Sequence, residues 1–301
     1  MRNAPYMKRT WSGAVFDIFN VVFMLLFTIV MLYPFWNQFV LSFNEGTDAV
    51  RGGIFLLPRK LDFGNYAYAF ASRGMVSSVI TSVMRVVVGA GANLFCCGLL
   101  AFVVANKNFS GRRIMRFIVV LTMYIPMGLI PLYVLYNALG MLNTFTVYWL
   151  PHLITGWNVL MITSYISNQP DSLFETARLD GAGEIRIFIR IVMPLCVPVL
   201  AALAVITSVY HWNSWYDNLV YNPSGDFDTL QMLLRRNLIN ADIARDLMAT
   251  NSSVSIEEAM KLQPVTIRAA TTMIVTIPII CVYPFLQRYF ISGISIGAVK
   301  G

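Results

Sequence analysis

Residues 175–194 read ETARLDGAGEIRIFIRIVMP and form a charged island between two long apolar runs. Pro170 and Asp171 give a helix-start signal before it, and Gly181 or Gly183 can adopt the positive φ that a tight turn needs, so the island predicts a short helix, a turn and a second helix. An otherwise apolar chain thus keeps a structured polar segment in water, where another protein can bind it. The alternative is an interfacial helix that only joins two membrane spans.

The composition is that of a membrane protein. Of the 301 residues, 57% are hydrophobic and 12% are charged, which is about half of the charged fraction of an ordinary soluble domain. Six apolar runs are long enough to cross about 30 Å of hydrocarbon as helices, and helices are required because lipid cannot satisfy open backbone groups. The predicted spans are Phe16–Val40, Val76–Ala105, Phe117–Asn137, Asn143–Ile166, Leu195–Leu219 and Val265–Phe290. We therefore predict an all-α integral membrane protein with one transmembrane domain, residues 1–301.

Basic residues predict the orientation of these spans. The loop Asn106–Arg116 carries four basic residues and no acidic one, which is typical of a cytoplasmic loop. An even number of spans separates this loop from both termini and from the segment at about 170–194, so we expect all of them on the cytoplasmic side and the loop at about 221–263 outside. The loop 43–75 conflicts with this orientation. The basic residues that it would place outside are Arg51, Arg59, Lys60 and Arg73.

The sequence lacks the motifs that several other functions require. The sequence contains no G-x-x-x-x-G-K-[ST] phosphate loop and no H-E-x-x-H, so neither the usual ATP hydrolysis nor that type of zinc site is expected here. The first apolar run has no small-residue cleavage site, so we expect a retained span and not a signal peptide. The net charge of +7 is explained by topology and does not imply nucleic acid. The cysteines lie in or beside apolar runs, which favours structural thiols; they are Cys96, Cys97, Cys196 and Cys281.

The island resembles the EAA coupling motif, E-A-A-x-x-D-G-A…F…I…P, of the inner-membrane permease subunits of ABC importers. Glu175, the run Asp180–Ala182, Phe188 and Pro194 fall at the spacing of that motif. The main departure is Thr176, where the motif has its first Ala.

The resemblance continues over most of the chain from about residue 76 onward. The segments Leu139–Thr144, His211–Trp215, Gln287–Gly293 and Gly297–Gly301 are similar to permeases of the carbohydrate-uptake class. Within that class, the maltose-type second permeases and the LplC-like polysaccharide permeases are most similar.

This resemblance implies a six-helix permease of the type I importer kind, which forms half of a translocation pathway for a sugar, expected to be an oligosaccharide. It implies a sister permease, two ATPase subunits that hold the ATP and Mg²⁺, and an extracytoplasmic solute-binding protein, in the cell membrane of a prokaryote. No cofactor is expected in this chain, and it would not be an enzyme. The residues expected to couple to the ATPase are Glu175, Ala177, Leu179, Asp180, Gly181, Ala182, Phe188 and Pro194. Glu175 would meet a basic residue of an ATPase cleft, into which Leu179 and Ala182 would pack.

Polar residues within the spans suggest a substrate path with open alternatives. Arg85 lies inside the second predicted span, where it either contacts a ligand or gates translocation, or is a structural charge that pairs with carbonyls or a partner subunit. A further alternative is that the span is shifted, so that the Arg85 side chain reaches the interface. No acidic partner is expected for it in a neighbouring span, unless Asp17 serves. His211, Trp212 and Trp215 either contact saccharide or belong to the interfacial aromatic belt. The alternative function is an ion-coupled secondary transporter with Arg85 and Asp217 as charged gates.

Overall fold

The computed structural model describes residues 11–49, 51–125, 127–239 and 265–298, without the side chains of Ser12 and 283–298. Within these ranges the regular structure is helical, apart from one isolated antiparallel bridge between Asn44 and Leu61. The helices are α1 Trp11–Ser42, α2 Gly46–Ala49, α3 Gly64–Ala71, α4 Met75–Ala105, α5 Arg112–Tyr124, α6 Leu129–Ala138, α7 Gly156–Ser167, α8 Asp171–Leu179, α9 Glu184–Ile187, α10 Met193–Leu195, α11 Val197–Asn213, α12 Tyr216–Tyr221, α13 230–239 and α14 Val265–Ala298. The all-α prediction is confirmed. Residues 1–10 and 299–301 of the predicted cytoplasmic termini, and 240–263 of the predicted external loop, lie outside the described residues.

Five of the predicted spans are represented by long or bent helices. Gly13–Ser42, Met75–Ala105 and Val265–Val282 are each long and apolar enough to cross a membrane. The third and fifth spans are bent pairs, α5 with α6 and Glu184–Leu195 with α11, the second bent by 77°. Pro198 lies in the first turn of α11, where its missing N–H removes no helical hydrogen bond, so a new helix can begin there.

The fourth predicted span, Asn143–Ile166, is helical only in pieces. Two 3₁₀ turns, Phe145–Tyr148 and Leu150–His152, precede α7. Asn93 of α4 satisfies part of this irregular backbone, since its Nδ2 donates to the carbonyl of His152 at 2.6 Å. Such pairing allows non-helical backbone at a depth where lipid offers no partner.

The contacts of the chain group into two compact units, residues 1–69 with 244–273 and residues 70–243 with 274–301. In the first unit, α1 exposes most of its apolar side chains, as a lipid-facing helix does. Asn65 fixes the loop after α1, because its Nδ2 donates to the carbonyls at positions 42 and 44 over 3.1 and 2.8 Å. The prediction of a single domain stays a prediction.

The core of the second unit lies where α4 packs against α7 and α11. Gly89 and Gly98 are buried on α4, and small residues of this kind let transmembrane helices approach closely. The core extends beyond the spans into the polar island, whose Ala177, Ile187 and Phe188 are buried with it. The island is therefore attached to the core and is not a free loop.

Candidate functional site

The polar island folds as α8, a tight turn and α9. The turn has the hydrogen bonds of a Schellman motif: the N–H of Ala182 donates to the carbonyl of Ala177, and that of Gly181 to Arg178, both at 3.0 Å. Gly181 has φ 79°, whereas Gly183 is extended at φ −69°. Of the two glycines that the sequence left open, Gly181 makes the turn.

One side of the island packs inward. The Phe188 side chain is 2% exposed and lies between two rings of α4, with centroids 5.9 Å from Phe95 and 5.7 Å from Phe102. Ala177 is buried, and the half-buried Ala182 packs against the same core. These three predicted coupling residues thus support the segment from within, and Ala182 is shared with the core rather than free for a partner.

The opposite side of the island is exposed. Leu179 and Ile185 are large apolar side chains that are 88% and 75% exposed. Asp180 and Pro194 are exposed as well. Glu175 is exposed too, but it borders the cavity between α8 and the basic loop, together with Lys107 and Arg178, and its charge acts on Arg178. The exposed part of the island therefore carries large apolar side chains and a carboxylate at the edge of a cavity.

Two ion pairs hold the island in place. Arg178 of α8 donates from Nε to Glu184 Oε1 at 2.8 Å, which ties α8 to α9, and this hydrogen bond raises the pKa of the Arg178 guanidinium. Lys107, from the basic loop Asn106–Arg116, pairs with Asp171 at the start of α8. The basic loop and the island therefore lie at the same end of the second unit, as the even number of intervening spans predicts.

Arg85 forms a buried ion pair that the sequence reasoning missed. Its side chain is 0% exposed and pairs with Asp217, whose side chain is 16% exposed; the distance from Nη1 to Oδ1 is 3.1 Å. The guanidinium carbon also lies 4.7 Å from the centroid of the Tyr148 ring. The expectation that no neighbouring span offers an acid was wrong, because Asp217 falls within the predicted fifth span, Leu195–Leu219. Asp17 is not needed to explain this charge.

His211 and Trp212 are packed within the second unit. His211 is 1% exposed, and a Cβ on Gly89 would lie 2.7 Å from its ring. Trp212 is half-buried, and its Nε1 donates to the carbonyl of Val275 at 3.1 Å. The role of both residues in a substrate path stays a prediction.

A buried amide cluster, centred on Asn158 in α7, lies in the same core. Its Nδ2 donates to Asn93 Oδ1 at 2.7 Å and to Thr207 Oγ1 at 3.1 Å. These side chains join α4, α7 and α11 by hydrogen bonds, which are costly to leave unmade in a dry interior. Lone Asn and Thr residues in apolar runs were the signal in the sequence, but their pairing crosses three helices.

A second contact that sequence reasoning missed lies just beyond the end of α11, between Arg235 and Trp215. The guanidinium carbon of Arg235, on α13, lies 3.6 Å from the centroid of the Trp215 ring. The neighbouring Arg236 pairs with Asp228, whose pKa is raised by its partial burial. The two arginines therefore have different environments although they are adjacent in sequence.

One pattern in the sequence invites an enzymatic interpretation that the fold does not support. Residues 293–297 read GISIG and match G-x-S-x-G. This run lies inside the helix Val265–Ala298, whereas a nucleophile elbow needs a sharp turn between a strand and a helix.

Comparison with known proteins relates this chain to membrane transport components. The family described as "Binding-protein-dependent transport system inner membrane component" matches residues 97–296. The chain is 33% identical to Protein LplC of Bacillus subtilis (strain 168), over 98% of each chain. It is 30% identical to the polygalacturonan/rhamnogalacturonan transport system permease protein YtcP of the same strain, over 96% of this chain and 100% of that one.

A solved structure is similar over nearly the whole chain. It is the crystal structure of a bacterial ABC transporter involved in the import of the acidic polysaccharide alginate, and one of its chains is 27% identical with a TM-score of 0.82. The match covers 95% of this chain and 100% of that one.

Proposed function

The chain belongs to the family of binding-protein-dependent transport system inner membrane components, and we propose that it is a permease subunit of an ATP-driven ABC importer for an oligosaccharide. The predicted fold, that of a type I ABC importer permease, is confirmed by the solved relative. The chain is a transport component and not an enzyme. The sugars in the names of its relatives support a saccharide substrate.

We propose that the ATPase docks on the exposed side of the island. The observation that carries this proposal is that the backbone of the island is held by hydrogen bonds and an ion pair while large apolar side chains on it are exposed. The Schellman turn and the Arg178–Glu184 ion pair fix the geometry of α8 and α9, while Leu179 and Ile185 remain exposed to water. Apolar side chains held this way favour a partner surface. Glu175 is available to pair with a basic residue of that partner.

The remaining subunits follow from this role. Two copies of an ATPase, which bind the ATP and Mg²⁺, would dock on this chain and on a sister permease that completes the pathway. An extracytoplasmic solute-binding protein would deliver the sugar. Closure of the ATPases would draw the two islands together and open the pathway outward, and hydrolysis would reset it, so this chain contributes half of a passage and no covalent chemistry.

The orientation belongs to the same proposal. If the island meets a cytoplasmic ATPase, the basic loop that Lys107 joins to it is cytoplasmic too. Both termini then lie in the cytoplasm of a prokaryotic cell, and the segment 221–263 lies outside.

The docking proposal is tested with Glu175→Lys in the complete transporter. Losing one partner of a partly buried charge pair costs roughly 2–5 kcal/mol, and the new Lys would also repel the basic group. We expect the variant to reach the membrane and pair with its sister subunit, but to lose its ATPases on purification and to stop transport. Asp226→Lys is the control, because it makes the same charge change at an exposed position in the predicted external loop.

If the Glu175→Lys complex retains its ATPases and transports normally, the docking proposal is wrong and the island only connects two membrane spans. The same purification addresses the alternative of an ion-coupled carrier with Arg85 and Asp217 as gates, since such a carrier transports without an ATPase.

A further inference from the structure

Arg235 is a cation held in a fixed place without an acidic partner. Its guanidinium lies over the Trp215 ring at 3.6 Å, and it meets no carboxylate among the described residues. It is half-buried, so its charge is only partly hydrated. Arg236, the next residue, is neutralised by Asp228. A stacked arginine keeps its planar fork of N–H donors free, which suits it to bind a planar anion.

The surroundings of Arg235 are anchored to the core of the second unit. The first residue of α13, Leu230, donates its N–H to Ser82 Oγ of α4 at 2.8 Å. Gln231 lies one helical turn before Arg235 and shares its face, and its Nε2 donates to Asn213 Oδ1 at 3.1 Å. This face of α13 is therefore fixed against the end of α11.

The unused polar atoms of this face complement a sugar. Oε1 of Gln231 and Nδ2 of Asn213 have no partner among the described residues, so one acceptor and one amide donor remain free where these two side chains meet. An acceptor and a donor can meet the hydroxyls of a sugar ring. The guanidinium adds a receptor for one carboxylate, since charge-assisted, bidentate pairing is the strongest hydrogen bonding that it makes.

We propose that Arg235 recognises a carboxylate of a uronic-acid-containing oligosaccharide at the predicted outer end of the pathway. The inference rests on the proposed import function and narrows its substrate to acidic sugars. Arg235 is a specificity-determining residue in this view, and Trp215 positions it. The carboxylate is assigned to the sugar and not to the solute-binding protein, because the free amide groups of Gln231 and Asn213 suit sugar hydroxyls.

The test is direct binding to the complete transporter in lipid nanodiscs, without ATP and without the solute-binding protein. The probes are tetragalacturonate, tetramannuronate and the methyl ester of each, which removes the charge but keeps the sugar. Saturation-transfer NMR measures the dissociation constants for the wild type, Arg235→Gln, Arg235→Lys and the control Arg236→Gln. We expect the wild type to prefer at least one free acid over its ester by about 10-fold or more. Arg235→Gln should remove this preference, Arg235→Lys should keep part of it, and Arg236→Gln should keep it.

Three results would overturn the inference. In the first, Arg235→Gln keeps the preference, which would make the stacked arginine purely structural. In the second, the wild type binds neither acid, or binds acid and ester equally. In the third, Arg235→Gln leaves sugar binding unchanged, but a separate ATPase assay shows that the variant is no longer stimulated by the solute-binding protein, which would assign the carboxylate to that protein. Because the binding assay contains no ATP, its outcome is separate from docking at α8. In the ATPase assay, stimulation by a solute-binding protein loaded with a neutral oligosaccharide would leave the import function standing.

Discussion

Asp217→Asn is expected to destabilise the protein more than any exposed charge change, because it strands a buried cation. The Arg85 side chain is 0% exposed, and Asp217 supplies its countercharge through both carboxylate oxygens. Breaking a buried ion pair from one side costs about 3–5 kcal/mol. The Asp217 side chain is 16% exposed, so water can replace part of the lost interaction. We therefore expect Asp217→Asn to lower the free energy of unfolding by about 3 kcal/mol.

Arg85→Met should lower the free energy of unfolding less than Asp217→Asn does. Arg85→Met removes the fully buried charge and leaves Asp217 at a site that water reaches, so a loss of about 1–3 kcal/mol is expected. The double variant, Arg85→Met with Asp217→Asn, leaves no buried charge. It should therefore be more stable than Asp217→Asn alone, by on the order of 2 kcal/mol.

The assay is reversible unfolding in mixed detergent micelles, followed by tryptophan fluorescence, for the purified permease pair. Asp171→Asn is the control, because it breaks the ion pair with Lys107, in which both side chains are exposed, and such pairs contribute about 0–1 kcal/mol. The reasoning fails if Asp217→Asn costs no more than this control. It fails equally if the double variant is less stable than Asp217→Asn.

Two further variants address the island and the orientation. Gly181→Val should lower the free energy of unfolding by about 1–2 kcal/mol and impair transport. The φ of Gly181 is 79° and no atom lies within 4 Å of the added Cβ, so the cost is backbone strain alone. Gly183→Val, at φ −69°, should be nearly neutral, and equal effects of the two variants would contradict the assignment of the turn to Gly181. A cysteine introduced at Ser110, in the basic loop, should react with an impermeant thiol reagent only from the cytoplasmic side, and labelling from outside would reverse the proposed topology.

Local chemistry was readable from the sequence, whereas long-range pairing was not. The helix–turn–helix of the island follows from Pro170 and a glycine that tolerates positive φ, and both features act over a few residues. The sequence did not indicate the π-helical turn Phe188–Val192, which departs from the regular helical period and so changes the direction of the side chains that follow it. The partner of Arg85 lies 132 positions away in the chain, and no periodicity predicts a contact at that separation.

The distinct role of Arg235 was missed for a related reason. In the sequence, Arg235 and Arg236 are two equivalent basic residues of a loop, and they differ only because one meets the ring of Trp215 and the other meets Asp228. The broken fourth span was hidden as well, since its apolar composition does not reveal that Asn93 supports non-helical backbone there.

The helix α4 has a mechanical consequence for the permease. Residues 75–105 form an uninterrupted rod without proline, and this rod holds Phe188 of the island near one end and Asp217 near the other. Phe102 and Arg85, which make these contacts, are 17 positions apart, or about 26 Å along the helix axis. Because the backbone hydrogen bonds of a continuous helix oppose bending, a push on the island should shift α4 as one unit. If the ATPase docks on the island as proposed, the ion pair of Arg85 would move with α4 without a relay of side-chain movements.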